Sequence, residues 1–204
     1  MSAASVEQPM DTDGPPILTA IADEIVERHP GYRVEIIGGH LLVSPTRDAR
    51  HASVLTDLMR LFLATGLHGE TEVLQSVAIK LPTGAEDYCI PDLVVVDADI
   101  DDHHIENNAY DPICFRLVLE VTSHNWRDDL KTKVGAYAEA KVPVYVVVDR
   151  KHQRLHVLTE PDGSEYTSHR VHAPGETVTL PDSVGAEVAL DVEQIIRAGQ
   201  KKSD

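Results

Sequence analysis

The sequence predicts a single α/β domain of the mixed α+β type, with a central mixed β-sheet flanked by helices. A strand, a helix and a second strand follow one another between residues 115 and 149, the order of a right-handed crossover that joins parallel strands. Short strands separated by turn residues precede and follow this unit, as expected for antiparallel hairpins. Together these patterns favour a sheet that contains both kinds of strand pair.

Length and composition fit one soluble globular domain. The chain has 204 residues, of which 42% are hydrophobic and 25% charged, enough for a single core. No hydrophobic run reaches the roughly 20 residues of a membrane span, and the N-terminus lacks the pattern of a secretory signal. We therefore expect a cytoplasmic protein with a domain at residues 16–198 and flexible tails at residues 1–15 and 199–204.

Charge and cysteine content argue against two classes of protein. The net charge of −16 argues against a protein that coats nucleic acid by charge alone, although it allows an enzyme with a local basic groove. Basic residues do cluster, for example at Arg47 and Arg50. Cys89 and Cys114 form neither a disulfide framework nor a Cys-x-x-Cys metal motif, so we expect two buried free thiols.

The N-terminal half is predicted to contain two helices and several strands. Hydrophobic residues at helical spacing predict helices in PILTAIADEIVERHPG and ARHASVLTDLMRLFLATG. The pair Gly38-Gly39 predicts a hairpin in YRVEIIGGHLLVSP. The segment TEVLQSVAIKLP is predicted as one strand, and CIPDLVVV as a buried strand with Pro91 near its start.

The C-terminal half begins with a polar stretch, DADIDDHHIENNAYDP, which is predicted as a loop. The segments FRLVLEVTS and VPVYVVVD have the continuous hydrophobic pattern of buried strands. Between them, NWRDDLKTKVGAYAEAK predicts a helix capped by Ser123 or Asn125. Three short strands, RLHVLTEP, EYTSHRV and ETVTLP, and a small helix, DVEQIIRAG, complete the chain.

Glu120 is unusual because it lies inside the hydrophobic strand FRLVLEVTS. A buried carboxylate costs several kcal/mol unless it has a partner. If this strand pairs antiparallel with the preceding one, Asp92 at the start of one strand lies beside Glu120 at the end of the other. A divalent cation such as Mg²⁺ would then offset their repulsion. The alternatives are a surface-facing Glu120 or a pair with Arg116 or a lysine.

Asp129 and Lys133 are four residues apart and so share one helical face. A solvent-exposed ion pair is the simpler interpretation of this spacing. The helix nevertheless begins directly after the strand that carries Glu120, so its first turns should cover the same sheet edge. There Lys133 could reach an anionic substrate or a metal-bound water.

Four segments in order, VEIIGGHLLVSPTRDARH, PDLVVV, LVLEVTS and DDLKTKVGAYAEAKVPVYVVVD, resemble the Uma-two-type family of restriction endonucleases. That family belongs to the PD-(D/E)XK nuclease superfamily, and the resemblance covers roughly residues 16–195. It implies a restriction-endonuclease-like core and a metal-dependent endonuclease that hydrolyses phosphodiester bonds of nucleic acid, most simply DNA.

The resemblance also implies roles for individual residues. Asp92 and Glu120 match the metal-binding acids, which with the carbonyl of Val121 would hold Mg²⁺ or Mn²⁺. Lys133 matches a helical lysine that replaces the usual superfamily lysine, since Thr122 stands at that position. Glu35 and His51 also match family residues and are expected around this set, as is Asp129 because it shares a helical face with Lys133.

The chain departs from the family at His40, where the family has a glutamate. This departure favours an alternative function, in which a catalytically decayed nuclease-fold domain binds nucleic acid or a protein partner. If the domain does cut both strands of duplex DNA, a homodimer with two copies of one site is the simplest arrangement.

Overall fold

The computed structural model describes residues 17–66, 69–122 and 128–200, without the side chain of residue 128. The predicted tail at residues 1–15 and the predicted caps Ser123 and Asn125 lie outside these ranges. Of the predicted C-terminal tail, residues 199 and 200 are described, and their amides donate to carbonyls in the last turn of the final helix.

The described residues contain four α-helices, which are α1 (Ile17–Arg28), α2 (Ala49–Ala64), α3 (Lys133–Glu139) and α4 (Val192–Ala198). A π-helical turn, Asp128–Thr132, leads directly into α3. The first seven strands are β1 (Arg33–Ile37), β2 (His40–Ser44), β3 (Thr71–Leu74), β4 (Ala78–Lys80), β5 (Tyr88–Cys89), β6 (Leu93–Asp97) and β7 (His104–Glu106). The others are β8 (Ala109–Tyr110), β9 (Phe115–Val121), β10 (Val144–Asp149), β11 (Arg154–Asp162), β12 (Glu165–His172), β13 (Thr177–Thr179) and β14 (Ala189–Asp191).

The strands form two six-stranded sheets and one small two-stranded sheet. The central sheet has the order β12-β11-β10-β9-β6-β3, in which β9 and β10 are parallel and the other neighbours antiparallel. The second sheet has the order β2-β1-β5-β4-β8-β7 and contains one parallel pair, β4 with β8. The predicted mixed fold class is confirmed, including the parallel pair and the antiparallel pairing of β6 with β9.

The central sheet is covered on both faces. On one face α2 and α4 pack against alternating strand residues, so that Phe62 and Leu117 share one hydrophobic cluster. On the other face α3 and the second sheet pack together, and Tyr137, Val118 and Ile79 share a second cluster. Because both faces of the central sheet are buried, β9 and β10 have nearly continuous hydrophobic sequences.

Two local signals position residues that later form the site. Gly38 and Gly39 have φ of 58° and 71°, the left-handed values that a two-residue hairpin requires, and they join β1 to β2. At the start of α2, the Asp48 side chain accepts a hydrogen bond of 2.7 Å from the amide of His51. The hairpin therefore fixes Glu35 within β1, and the cap fixes His51 in the first turn of α2.

Three sequence-based element predictions were wrong. CIPDLVVV is not one strand, because Cys89 ends β5 in the second sheet and β6 of the central sheet begins only at Leu93. TEVLQSVAIKLP is not one strand, because the chain turns at Ser76 (φ 57°) and sends β3 and β4 into different sheets. The predicted polar loop contains a 3₁₀ turn and the hairpin β7–β8, whose turn residues Asn107 and Asn108 have φ of 49° and 58°. The second and third errors arose where a residue other than glycine adopts positive φ, which hydrophobic patterning does not reveal.

The predicted state of the cysteines is confirmed, since Cys89 and Cys114 are both buried and free. Within the described ranges, no helix has the length and hydrophobicity required to cross a membrane.

Candidate active site

Asp92 and Glu120 meet where two neighbouring interior strands of the central sheet, β6 and β9, begin and end. In the antiparallel pair of β6 and β9, Leu93 lies opposite Leu119. Asp92 precedes Leu93 and Glu120 follows Leu119, so one further step of the same register sets the two acids opposite each other. Both are buried, with exposures of 0% and 1%. The amide of Val121 also donates to Asp92 Oδ2 at 2.9 Å, which ties the two strand ends together.

Lys133, at the start of α3, reaches these two strand ends from the layer that packs against the central sheet. Its Nζ lies 2.7 Å from Glu120 Oε1, 3.1 Å from Glu35 Oε1 and 3.7 Å from Asp129 Oδ1. Lys133 is only 2% exposed. The interpretation of Asp129 and Lys133 as a solvent-exposed helical ion pair is therefore wrong, because the lysine is buried among three carboxylates from three elements.

The cluster around Lys133 has an excess of negative charge, since three carboxylates surround one ammonium group. Burial, together with the charges of Asp92, Asp129 and Glu35, raises the pKa of Glu120 well above its usual range despite Lys133. Burial also raises the pKa of Asp129, to about 6. Burial opposes the charge on Lys133, but the carboxylates outweigh it and raise the lysine pKa. Such a cluster favours an additional positive charge.

Asp92 has the opposite surroundings. Its Oδ1 accepts a hydrogen bond of 2.9 Å from Arg33 and lies 3.5 Å from a guanidinium nitrogen of Arg47, while its Oδ2 lies 2.8 Å from His51 Nε2. Burial alone would raise the pKa of Asp92. The hydrogen bond from His51 and the charges of Arg33, His51 and Arg47 outweigh burial and hold the pKa far below its ordinary value. Asp92 is therefore a stable anion.

Glu35 and Tyr137 complete the contacts of the acidic cluster. Glu35 Oε1 accepts a hydrogen bond of 2.8 Å from the amide of Ile90 as well as that from Lys133. The hydroxyl of Tyr137, one turn beyond Lys133, donates to Glu120 Oε1 at 3.1 Å. The structure thus brings together every residue that the sequence placed in or around the site, namely Asp92, Glu120, Val121, Lys133, Glu35, His51 and Asp129.

Arg33 and the hydrogen bond of Tyr137 were not anticipated from the sequence. Arg33 donates both to Asp92 and, at 2.6 Å, to the carbonyl of Ile90. A signal was available, because Arg33 and Glu35 occupy alternate positions of β1 and so point to one face of a strand that is otherwise hydrophobic. Two charges on one face of a buried strand indicate charged partners from another element.

His40 lies apart from these contacts. It is exposed, it follows the hairpin turn, and its Nδ1 lies 2.7 Å from the carbonyl oxygen of Gly38. Within the described residues, the side chain of His40 therefore has no hydrogen bond or ion pair with Asp92, Glu120 or Lys133. The geometry of His40 therefore gives no support to the alternative of a catalytically decayed domain.

The donor set fits a hard divalent cation. Glu120 Oε2 is buried and has no hydrogen-bond partner among the described residues. A carboxylate offers about four lone-pair sites, and Asp92 uses three of them for Arg33, His51 and the Val121 amide. No group of three or more His, Cys, Asp or Glu side chains suited to one metal ion is found in the described part of the chain. Mg²⁺, however, commonly takes only one or two carboxylates and completes its shell with other oxygens.

Comparison with known proteins agrees with this fold. The model of the Uma2 family, described as "Putative restriction endonuclease", matches residues 22–193. Among solved structures, the chain is similar to a "putative nuclease belonging to DUF820" from Anabaena variabilis, with a TM-score of 0.65 and 13% sequence identity. This similarity covers 82% of this chain and 91% of the other, and at that identity it establishes the fold alone.

No curated protein matches this sequence. The family match spans most of the chain, from the middle of α1 to the start of α4, and includes every residue of the charged cluster described above. We conclude that the chain belongs to the Uma2 family.

Proposed function

We propose that this protein is a metal-dependent endonuclease that hydrolyses phosphodiester bonds of DNA. The observation that carries the proposal is the buried Glu120, whose Oε1 is held by Lys133 and whose Oε2 has no hydrogen-bond partner in the described residues. A structural ion pair would satisfy both oxygens, because an unpaired buried carboxylate oxygen costs stability. An oxygen kept free beside a charged lysine is expected where an ion and a phosphate bind.

Asp92, Glu120 and the carbonyl of Val121 are the groups that would hold the ion, Mg²⁺ or Mn²⁺. Bound there, the ion would polarise the phosphate and lower the pKa of a coordinated water. Asp92 suits this role because it stays ionised, and Glu120 because its free oxygen lies in a cluster with excess negative charge.

Lys133 would stabilise the negative charge that develops on the phosphate during hydrolysis. Its ammonium group is held within 3.1 Å of both Glu120 and Glu35, and its raised pKa keeps it charged. A donor that is already oriented in a site of low dielectric contributes more than one that must reorganise in water. The hydroxyl of Tyr137 holds Glu120 from the same helix face.

The remaining charged residues act as positioning residues in this proposal. His51 and Arg33 fix the two oxygens of Asp92. Glu35 and Asp129 keep Lys133 charged from two other elements. The alternative function, a decayed binding module, was based mainly on His40, and the exposed position of that residue removes this support.

Cleavage of supercoiled plasmid DNA tests the proposal. The wild-type protein should nick or linearise plasmid DNA with Mg²⁺ or Mn²⁺, and cleavage should stop when EDTA is added. Asp92→Asn and Glu120→Gln should each reduce the rate by at least about 10²-fold, while Glu165→Gln, an exposed change on β12, should cleave like wild type. Wild-type protein that cuts no DNA with either metal would refute the proposal.

A further inference from the structure

A basic groove lies between α2 and α4. It has a volume of about 450 Å³, and its charged lining residues are three arginines, Arg50, Arg60 and Arg197, and one acid, Asp57. The other lining residues are small or uncharged, including Ala49, Ala52 and Ser53. Arginines outnumber acids in this groove, whereas the chain as a whole has a net charge of −16. The groove is therefore a part of the surface where an anion is favoured although the net charge repels it.

The arginines of the groove are available to a ligand. No salt bridge of the Arg50 guanidinium is found within the described residues. Arg60 lies 3.4 Å from Asp57, and its side chain is 76% exposed. Arg197 pairs with Glu193 and is 73% exposed. Exposed ion pairs of this kind contribute only about 0.2–1 kcal/mol, so either arginine can exchange its acid for a phosphate.

Small side chains on α2 let a backbone approach the groove closely. Ser53 and Thr56 line it, and both hydroxyls donate to carbonyls one turn earlier, to Ala49 and Ala52, at 2.9 Å. Their hydrogens are therefore used within the helix. The donors that remain for an incoming anion are the side-chain amide of Gln200 and the arginines, whose planar guanidinium groups match the geometry of phosphate.

The groove and the candidate active site share the first turn of α2. The first turn of α2 contributes His51 to Asp92 on its inner side and Ala49 and Arg50 to the groove on its outer side. Arg47, just before this helix, lies 3.5 Å from Asp92. Arg50 and Arg60 are ten residues apart, about 15 Å along the helix, which corresponds to about four nucleotides of one strand at 3.4 Å each.

We propose that this groove binds the phosphodiester backbone of DNA, on the outer side of the helix whose first turn holds Asp92 through His51. The inference rests on the proposed nuclease function. Arg50, Arg60 and Arg197 contact successive phosphates rather than bases, so the groove contributes affinity and register without sequence preference. An acidic polypeptide is the other anionic ligand that a basic groove could take, and the experiment separates the two.

Two triple variants with equal loss of charge test this surface. The groove variant is Arg50→Gln/Arg60→Gln/Arg197→Gln. The control variant is Arg28→Gln/Arg154→Gln/Arg170→Gln, which removes three exposed arginines that do not line the groove. Binding of a fluorescent 30-base-pair DNA duplex is measured by anisotropy in EDTA over a range of salt concentrations, so that neither metal binding nor cleavage contributes.

The groove variant should bind the duplex about 10²-fold more weakly than wild type at about 0.1 M salt. The slope of log binding constant against log salt concentration should be shallower by about 3, which is about one per lost phosphate contact. The control variant should bind nearly like wild type. An unchanged slope in the groove variant, or an equal loss in the control, would overturn the assignment. So would an equal loss of affinity for polyglutamate, because the groove would then not be specific for phosphodiesters.

The outcomes also separate this inference from the proposed function. If the wild-type protein binds DNA through the groove but never cleaves it, the groove assignment stands and the proposed nuclease function is refuted. If the wild-type protein cleaves DNA and the groove variant binds DNA as well as the control variant does, the nuclease function stands and the groove assignment is refuted.

Discussion

Lys133 Nζ lies 2.7 Å from Glu120 Oε1, and both residues are almost fully buried. The same ammonium group contacts Glu35 and Asp129, so one cation serves three carboxylates. This relationship makes Lys133 a structural residue of the folded protein as well as the proposed catalytic lysine. Experiments on Lys133 must therefore measure stability and activity separately.

The first prediction concerns stability. Lys133→Met keeps the volume of the side chain but leaves three carboxylates without their cation. We expect it to lower the free energy of unfolding by about 3–5 kcal/mol, as is typical when one partner of a buried ion pair is removed. Urea denaturation at neutral pH measures the change.

Lys131→Met is the matched control, because Lys131 is exposed two residues away and should change stability little. The double variant Lys133→Met/Glu120→Gln should lose less stability than the sum of the two single variants, because it removes the charge that Lys133 compensates. If Lys133→Met were as stable as Lys131→Met, the buried contacts of Lys133 would not be those described above.

The second prediction concerns activity. Measured where Lys133→Met is still folded, its single-turnover cleavage of plasmid DNA should be about 10²–10³-fold slower than that of wild type, because one oriented electrostatic contact to the phosphate is lost. Lys131→Met should cleave at the wild-type rate. A folded Lys133→Met protein that cleaves as fast as wild type would remove Lys133 from the mechanism while leaving its structural role.

Sequence reasoning succeeded where a pattern is local or a pairing is simple. The antiparallel order of two successive strands was enough to place Asp92 beside Glu120. It failed where distant segments decide the outcome. The burial of Lys133 depends on Glu35, which is 98 residues away in the chain, and neither helical spacing nor hydrophobicity contains that information.

The second sheet illustrates the same limit. Its strands are two to five residues long, and β4 pairs in parallel with β8 across about 30 positions of the chain. Strands so short give little alternation to detect. The exposed position of His40 could not be derived from the sequence either, because a comparison of residue types does not show on which side of a hairpin a residue lies.

The third prediction concerns the pH dependence of Asp92. Its pKa is lower in the folded protein than the ordinary value of 3.8, so the unfolded state binds more protons and the stabilisation is present above that value. Wild type should therefore be more stable than Asp92→Asn at neutral pH, and the difference should shrink as the pH falls below about 4.

Melting temperatures of wild type and Asp92→Asn from pH 3 to pH 8 measure this difference. Asp162→Asn, a change of an exposed aspartate at the end of β11, is the control and should follow wild type at every pH. A difference between wild type and Asp92→Asn that is the same at pH 3 and at pH 7 would show that the carboxylate of Asp92 is not stabilised by Arg33 and His51.

The fourth prediction concerns assembly. Cleavage of both strands of duplex DNA is simplest with two copies of one site related by a two-fold axis, so we expect a homodimer. Light scattering over a wide range of protein concentrations measures the mass directly. A mass equal to one 22.4 kDa chain at every concentration would contradict the dimer without affecting the single-site chemistry.

The central claim is that Asp92 and Glu120 together hold one divalent ion, and binding of Mn²⁺ followed by electron paramagnetic resonance tests it most directly, without DNA and without turnover. Wild type and the exposed control Glu165→Gln should each bind one Mn²⁺ ion that Mg²⁺ displaces. Asp92→Asn and Glu120→Gln, shown to be folded, should lose that site. Equal binding of Mn²⁺ by wild type and by folded Glu120→Gln would contradict the claim.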